Sequence, residues 1–508
     1  VDRALVDALA HDLAAAGYAG GGVAARIGVH AADALARMVA TPARRALGDA
    51  TDALATIVRL LWLGDRAPAA DLDAALPTVG LEGLAALGIV EIADDDAAPL
   101  LTIRPHAFRD VLGDGSWWIA SDLDELSGVH PLREDHVLGV GGAARTLAAI
   151  LPPVRATSAL DLGSGCGIVS LHLARLADHV VATDLSERAL ALTRLTCALN
   201  GVDHVETRQG DLWAPVAGER FDLVASNPPF VITPRAEGVP AYEYRDGGRT
   251  GDALMQEVVE GLGAHLAPGG AARLLGNWES LAGAAGLDRV RAWLATGGVD
   301  GWVLERETLD VVRYAELWLR DGGTRPGDQD HAPLLTAWLD DFAARDVRSI
   351  GLGWVVAHAR DEDAAAPRIR VERVGNALGL EHVGVHLADS LDVQERVAAL
   401  DDADLRDVHL LVQADVTELR HLRPGASGPT VIELTQGGAL GRTTPVDTAV
   451  AGLVGASDGE LSVGAILDAI ASLLDVDAEA LSAEALPAVR ELWIRGYLVE
   501  RAAEPDAG

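Results

Sequence analysis

The chain has 508 residues, too many for one ordinary core and enough for roughly two to four domains. Hydrophobic residues make up 49 %, which excludes a disordered tail, and 41 Lys plus Arg against 76 Asp plus Glu leave a net charge of −35. That balance excludes a generally basic nucleic-acid coat and any long-range attraction to anionic membrane, while a local Arg-lined groove stays open. Lys is absent, and the Ala-, Gly- and Arg-rich composition reads as the codon bias of a GC-rich genome. Cys166 and Cys197 are the only cysteines, too few for a disulfide scaffold and consistent with a reducing compartment. Asp2, Arg3 and Asp7 make the start unlike a secretory signal, and no apolar run reaches the ~20 residues that span a bilayer. The expectation is a soluble, cytoplasmic protein with no membrane partner.

Along the chain, residues 1–125 read as mostly helical, with apolar residues at helical spacing through Ala31–Val39 and Ala53–Leu63. From 126 to 325 the pattern is an α/β alternation. Ala159–Leu162, His179–Thr183, Val205–Gln209 and Phe221–Ala225 read as strands, with helices from Ile168 and over Glu187–Asn200. Strands separated by helices of this length predict a parallel sheet covered on both faces. The turn-rich stretch Gly322–Asp328 is a break. Beyond it, 326–435 reads as an appended α+β region or an extension of the sheet. It has a helix over Leu334–Ala344 and strands at Ile350–Ala357, Arg368–Val374 and His382–Leu387. Residues 436–508 are again mainly helical. Leu81–Glu91 resembles Val489–Glu500: each is an amphipathic helix, a Gly stop and an apolar run. That is how the third helix of a winged helix enters its wing, so both ends are expected to be winged-helix-like. From Asp458 onward 11 acids face 3 Arg, which would repel phosphate.

The segment Ala159-Leu-Asp-Leu-Gly-Ser-Gly-Cys-Gly-Ile168 is strand, Gly-rich turn, helix. Gly163, Gly165 and Gly167 let the backbone turn sharply and approach a ligand. A nicotinamide-dinucleotide turn wants G-x-G-x-x-G. This loop is G-x-G-x-G with Asp161 two residues before it, and it resembles the first motif of class I S-adenosylmethionine-dependent methyltransferases. The resemblance implies S-adenosyl-L-methionine as cofactor. Asp184 closes the next strand, where an acid can accept both ribose hydroxyls. Gly210-Asp211-Leu212 after the third strand resembles the family motif that reads the adenine edge.

Phe221-Asp-Leu-Val-Ala-Ser-Asn-Pro-Pro-Phe230 runs an apolar strand into Asn227-Pro228-Pro229-Phe230. Two prolines hold a rigid corner at the strand end, where an open α/β sheet presents its site. The motif resembles the (Asn/Asp)-Pro-Pro-(Tyr/Phe) group of methyltransferases, which act on planar, weakly basic nitrogens. The implied catalytic set is Asn227, Pro228, Pro229 and Phe230, with Asn227 also beside the cofactor. Asn227 Oδ1 and the Pro228 carbonyl can each accept one N–H of the target, and Phe230 can pack over it. The implied fold is α/β, a Rossmann-like methyltransferase sheet between helical, winged-helix-like terminal domains. The resemblance covers about 130–280 and leaves the macromolecular substrate open, a protein glutamine or an RNA or DNA base.

Flanking stretches bear on that choice in opposite directions. Pro131-Leu-Arg-Glu-Asp135 loosely resembles the entry segment of release-factor glutamine methyltransferases, whereas the Phe of the tetrapeptide is more typical of ribosomal guanine methyltransferases. Tyr242–Gly251, with Gly247, Gly248 and Gly251, is expected to close over the target and to offer Arg245 and Arg249 to phosphate or a carbonyl. Trp117-Trp118 reads as a packing contact before a base-stacking pair. His382 and His386 fall on one side of a strand without a further ligand, so no metal site is expected. A non-catalytic scaffold with a relic methyltransferase domain is the alternative of a different class.

Overall fold

The computed structural model describes residues 2–110, 112–128, 133–236, 238–240, 245–360, 366–375 and 382–501. The chain divides into two compact units, Val1–Arg373 and Val374–Gly508. Among the described residues no helix is long and apolar enough to cross a membrane.

The first unit opens with short helices, from Arg3–Ala15 to Ala53–Ile57, the last continued by a π turn over Val58–Trp62. Strand β1 (Ala67–Pro68) leads into helices Ala69–Ala75 and Gly80–Ala86. Strands β2 (Val90–Ala93) and β3 (Asp96–Pro99) follow and form an antiparallel sheet of order β1-β3-β2. Helix, strand, helix, helix and two strands follow in this order, and Asp94 with φ 57° turns the tip between β2 and β3. Strands β4 (Leu101–Asp110) and β5 (Gly113–Asp122) then pair as a hairpin, which a helical reading of 1–125 does not contain. The hairpin docks on the helix Glu187–Leu199: Trp118 N–H donates to Asn200 Oδ1 at 3.0 Å and Ala120 N–H to Thr196 Oγ1 at 3.1 Å. Trp118 Nε1 also donates to the Tyr18 carbonyl at 2.6 Å, and Trp117 stacks on Phe108 at 3.9 Å. The Trp pair is thus a packing contact.

Strands β6 (Ala156–Leu162), β7 (Ala177–Asp184), β8 (Val205–Gln209) and β9 (Phe221–Ser226) are parallel. The apolar runs of β6, β7 and β9 suit strands buried on both faces, whereas β8, at the sheet edge, is polar. They continue through β10 (Leu266–Leu281), β11 (Val299–Asp310), β12 (Val347–Ala359) and β13 (Ile369–Arg373) into one sheet of order β13-β11-β12-β10-β9-β6-β7-β8. β12 is antiparallel to both β10 and β11. Ile350–Ala357 and Arg368–Val374 therefore extend the sheet. Its core packs Leu160, Val224, Leu274, Trp278 and Val303 against Val258 and Val290 of helices Ala253–Glu260 and Gly286–Gly297, each such aliphatic burial contributing about 1.5–3 kcal/mol. A second cluster joins Val231 and Ile232, just past the tetrapeptide, to Tyr314, Trp338 and Phe342 of helices Val311–Asp321 and His331–Ala344.

The second unit begins its helical part with Val383–Ala398. His382 has φ 63° and stands before this helix, and His386 lies inside it, so these two do not share a strand face. Val383, Leu387 and Leu391 recur at helical spacing and are buried. Strand β14 (His409–Val412) is followed by a three-stranded sheet of β15 (Val416–His421), β16 (Val431–Gln436) and β17 (Thr443–Val446). Helix Thr448–Ala456, β18 (Asp458–Ser462), helices Val463–Leu474 and Ala478–Ile494, and β19 (Leu498–Glu500) close the unit. Their order repeats that of the N-terminal helices and strands with one change. The middle strand of the sheet β18-β14-β19 is β14, which precedes all the other parts. Glu479, Glu484 and Glu491 are exposed on the helix Ala478–Ile494.

Candidate active site

The chain leaves β6 at Leu162 and turns at Gly163 (φ 85°), Gly165 (φ 55°) and Gly167 (φ 82°) into the helix Ile168–Leu176. These left-handed conformations favour glycine. A Cβ on Gly163 or Gly165 would meet nothing within 4 Å, whereas one on Gly167 would lie 3.0 Å from Thr193 Cα. The first two thus line open space and the third permits close helix packing. The loop is stitched to β7. Gly163 and Ser164 N–H both donate to the Thr183 carbonyl at 2.9 Å, and Gly165 N–H donates to Asp184 Oδ2 at 3.0 Å.

Asp184 stands at the end of β7, where its Oδ1 also accepts the Ser186 N–H at 2.9 Å. Burial pushes its carboxyl up. Gly210 N–H donates to the Asp184 carbonyl at 3.0 Å, which brings the end of β8 beside it. Asp211 accepts from Arg249 Nη2 at 2.8 Å, and Leu212 holds a left-handed backbone with φ 46°. Asn227, Pro228 and Pro229 follow β9 directly. Asn227 Oδ1 is buried and has no hydrogen-bond partner.

These groups meet around a cavity of about 520 Å³, within the usual range for small-molecule sites. Gly163, Gly165 and Cys166 line it beside Asp184, with Asp211, Leu212 and Asn227–Pro229 completing the wall. Three expected residues stand elsewhere. Asp161 does not line the cavity. It is 1 % exposed beneath the loop, with Oδ2 accepting the Ser170 hydroxyl at 2.5 Å. Gly167 lies behind the loop. Phe230, expected over the target, is half-buried outside the cavity lining, bridged to Asp246 and packed against the cluster of Tyr314, Trp338 and Phe342.

Burial pushes the Asp161 carboxyl up to about 7, outweighing the Ser170 hydrogen bond, with Asp184 adding to the rise. A raised carboxyl stabilises the folded state only while protonated, so its contribution is full below the unfolded value near pH 4 and fades as pH rises toward 7. Asp161→Asn keeps an acceptor for Ser170. Its stability relative to the parent is expected to rise by a few kcal/mol, about, between pH 4 and 7, as read by urea denaturation at each pH. A pH-independent difference would show that Asp161 is ionised in the fold.

The cysteines offer no nucleophile. Both are free and buried, and burial pushes Cys166 up to about 11 and Cys197 up to about 12. Among the described residues no group of three or more His, Cys, Asp or Glu is placed to hold a metal ion.

The sequence expectations for the flanking segments need correction at one point. Pro131, Leu132 and Tyr242–Tyr244 lie outside the described residues. Glu134 and Asp135 line the cavity. Arg245 is not a free cation: it is 6 % exposed and donates to the Trp318 carbonyl at 3.0 Å and to Asp321 at 2.9 Å. Arg249 does lie at the cavity, between Asp211 and Glu257. Gly247 lets this segment pack on the Asn227–Phe230 tetrapeptide, since a Cβ there would lie 2.9 Å from the Pro229 carbonyl. Arg245→Ala is expected to cost about 1–3 kcal/mol of stability, and Arg249→Ala within about 0.5 kcal/mol of nothing, by chemical denaturation. Equal losses would contradict the different burial of the two. Arg235, a further lining residue, carried no motif in the sequence.

Residues 139–284 match the family model described as Methyltransferase small domain, and residues 15–100 match one described as Domain of unknown function (DUF7059). The chain is 36 % identical over 148 residues to the release factor glutamine methyltransferase of Xylella fastidiosa, covering 27 % of this chain and 51 % of that protein. It is 31 % identical over 169 residues to the ribosomal RNA small subunit methyltransferase C of Salmonella newport, covering 32 % and 43 %. The chain thus spans about half the length of the curated relatives it matches. A solved 16S rRNA methyltransferase of T. thermophilus, in complex with AdoMet and guanosine, aligns with 18 % identity and a TM-score of 0.27, over 64 % of this chain and 70 % of that one.

Proposed function

Because residues 139–284 form a methyltransferase small domain of the class I S-adenosylmethionine-dependent type, we propose that the protein is an N-methyltransferase acting on a planar NH₂ group. The target is a glutamine side-chain amide in a protein or an exocyclic amine of an RNA or DNA base. The observation that carries this reading is Asn227 Oδ1, a buried acceptor without a partner at the wall of the cofactor cavity. Leaving such an acceptor unpaired costs about 1–3 kcal/mol, so it is well suited to a ligand N–H.

S-adenosylmethionine supplies an activated methyl on a sulfonium. The chain supplies position. Gly163 and Gly165 allow close approach along one wall, Asp184 offers carboxylate lone pairs to ribose hydroxyls, and Asp211 stands at the adenine end. Asn227 Oδ1 and the Pro228 carbonyl each accept one target N–H, which directs the nitrogen lone pair toward the methyl and favours positive charge developing there. No strong base is needed, because the nitrogen proton becomes acidic once the methyl is attached.

The test has two stages. Calorimetry with S-adenosylmethionine is expected to show one site per chain. Incubation of cell extract with the cofactor labelled in its methyl group is then expected to place label in protein or in RNA, which also identifies the substrate class. Cofactor binding without any macromolecular label would sink the reading in favour of a relic domain.

A further inference from the structure

The helix Val311–Asp321 lies beyond the segment that matches the methyltransferase family, yet it reaches the catalytic loop. Tyr314 is fully buried, and its hydroxyl accepts the Ile232 N–H at 3.1 Å and an Asn277 Nδ2 hydrogen at 2.8 Å. Asn277 is on β10, three residues past Leu274, which pairs with Ser226, the neighbour of Asn227. One hydroxyl therefore ties the chain just after Phe230 to the strand beside β9. The same helix holds a second tether. Its Trp318 carbonyl and Asp321 carboxylate take the Arg245 guanidinium, and the Arg245 carbonyl accepts the Val231 N–H at 2.8 Å. Two successive amides of the catalytic loop are thus held by partners that end on this helix. The Tyr314 ring is fixed in turn by Trp318, Trp338 and Phe342, with centroids at 6.1, 6.2 and 6.0 Å.

We propose that Tyr314 and Asn277 are positioning residues for methyl transfer, and that the helix Val311–Asp321 is a working part of the active site. Neither residue lines the cofactor cavity, so both act through the loop. The route is short and stiff. Pro228 and Pro229 have fixed φ, so a displacement at Ile232 passes back to Asn227 instead of being absorbed between them. Methyl transfer needs nitrogen, methyl and sulfur in line, and a misplacement of about 1 Å can cost on the order of 10²-fold in rate. Most of the cofactor wall comes from the ends of β6, β7 and β8, outside the loop that such a displacement moves.

The proposal rests on the methyltransferase reading, and the experiment separates the two. Tyr314→Phe, Asn277→Ala and the double variant are made in the full chain and assayed by label transfer from S-adenosylmethionine into cell extract. Tyr314→Phe keeps the ring and its packing. Its initial rate is expected to fall at least about 10-fold, with the KM and the calorimetric Kd for S-adenosylmethionine within about twofold of the parent. The double variant is expected to lose no more than the worse single variant, because both act on one tether. Hydrogen exchange of the segment 227–236 is expected to accelerate in Tyr314→Phe while exchange in β6 and β7 does not change. A Tyr314→Phe rate within about twofold of the parent, or a cofactor Kd rising in step with the loss of rate, would overturn the proposal. A parent protein that transfers no label overturns the methyltransferase reading instead. The exchange experiment then decides the tether alone, and unchanged exchange at 227–236 refutes it.

Discussion

Asn227→Ala is expected to lower methyl transfer at least ~10²-fold and to leave S-adenosylmethionine affinity nearly intact, by analogy with losing one preorganised oxyanion-type contact. In the proposed function the side chain's buried oxygen meets the target nitrogen, and most of the cofactor wall comes from the ends of other strands. Truncation removes the acceptor that orients the NH₂ group and leaves the Pro228 carbonyl as its one remaining partner in the tetrapeptide. Asn227→Asp keeps an acceptor oxygen at the same place and should retain more of the rate than Ala. Label transfer and calorimetry on the same preparations read both quantities. Normal turnover in the Ala variant would make the tetrapeptide a structural corner.

The second large effect belongs to Asp184. Its loss is expected to weaken S-adenosylmethionine binding by roughly 1.5–3 kcal/mol, the value of hydrogen bonds to a charged group, or about 10- to 100-fold in Kd. The carboxylate has two tasks, since it also accepts the Gly165 and Ser186 amides and so holds the Gly-rich loop. Asp184→Asn retains one of the two acceptor oxygens and removes the charge. Recovery of most of the affinity in Asn would show that one acceptor oxygen and a neutral side chain suffice; loss as deep as in Ala would show that the site needs both carboxylate oxygens. Unchanged affinity in Asp184→Ala would remove the ribose contact from the site.

The parallel strands were legible because each short apolar run ends in a turn residue or an acid, as at Leu162-Gly163, Thr183-Asp184 and Ser226-Asn227-Pro228. The hairpin of β4 and β5 was hidden by Pro105, Gly113 and Gly115, residues that weaken a strand reading. It forms because the Trp118 and Ala120 N–H groups find acceptors on and just after a helix some eighty residues later. His382–Leu387 is a short apolar run of the kind that periodicity alone does not assign. Misplaced side chains share one cause. Phe230 and Arg245 look solvated in a Gly- and Pro-rich stretch, but their partners, Tyr314, Trp318 and Asp321, come from a helix far along the chain. Local pattern carries no information about such distant neighbours.

The middle strand of the C-terminal sheet has a consequence for the timing of folding. β14 is synthesised before β18 and β19, the two strands it joins, and at about 5–20 residues per second its partners follow only after seconds. Until then the helices Val463–Leu474 and Ala478–Ile494 cannot settle on a finished sheet, so the module assembles late and all at once. The same order sets the fragments that can be expressed. A piece starting at residue 436 would contain every helix of the module but leave β18 and β19 facing an empty lane, two bare edges open to any passing strand. A piece starting before His409 carries its own filler, and joining β14 behind β19 by circular permutation would give the chain the strand order of the N-terminal sheet.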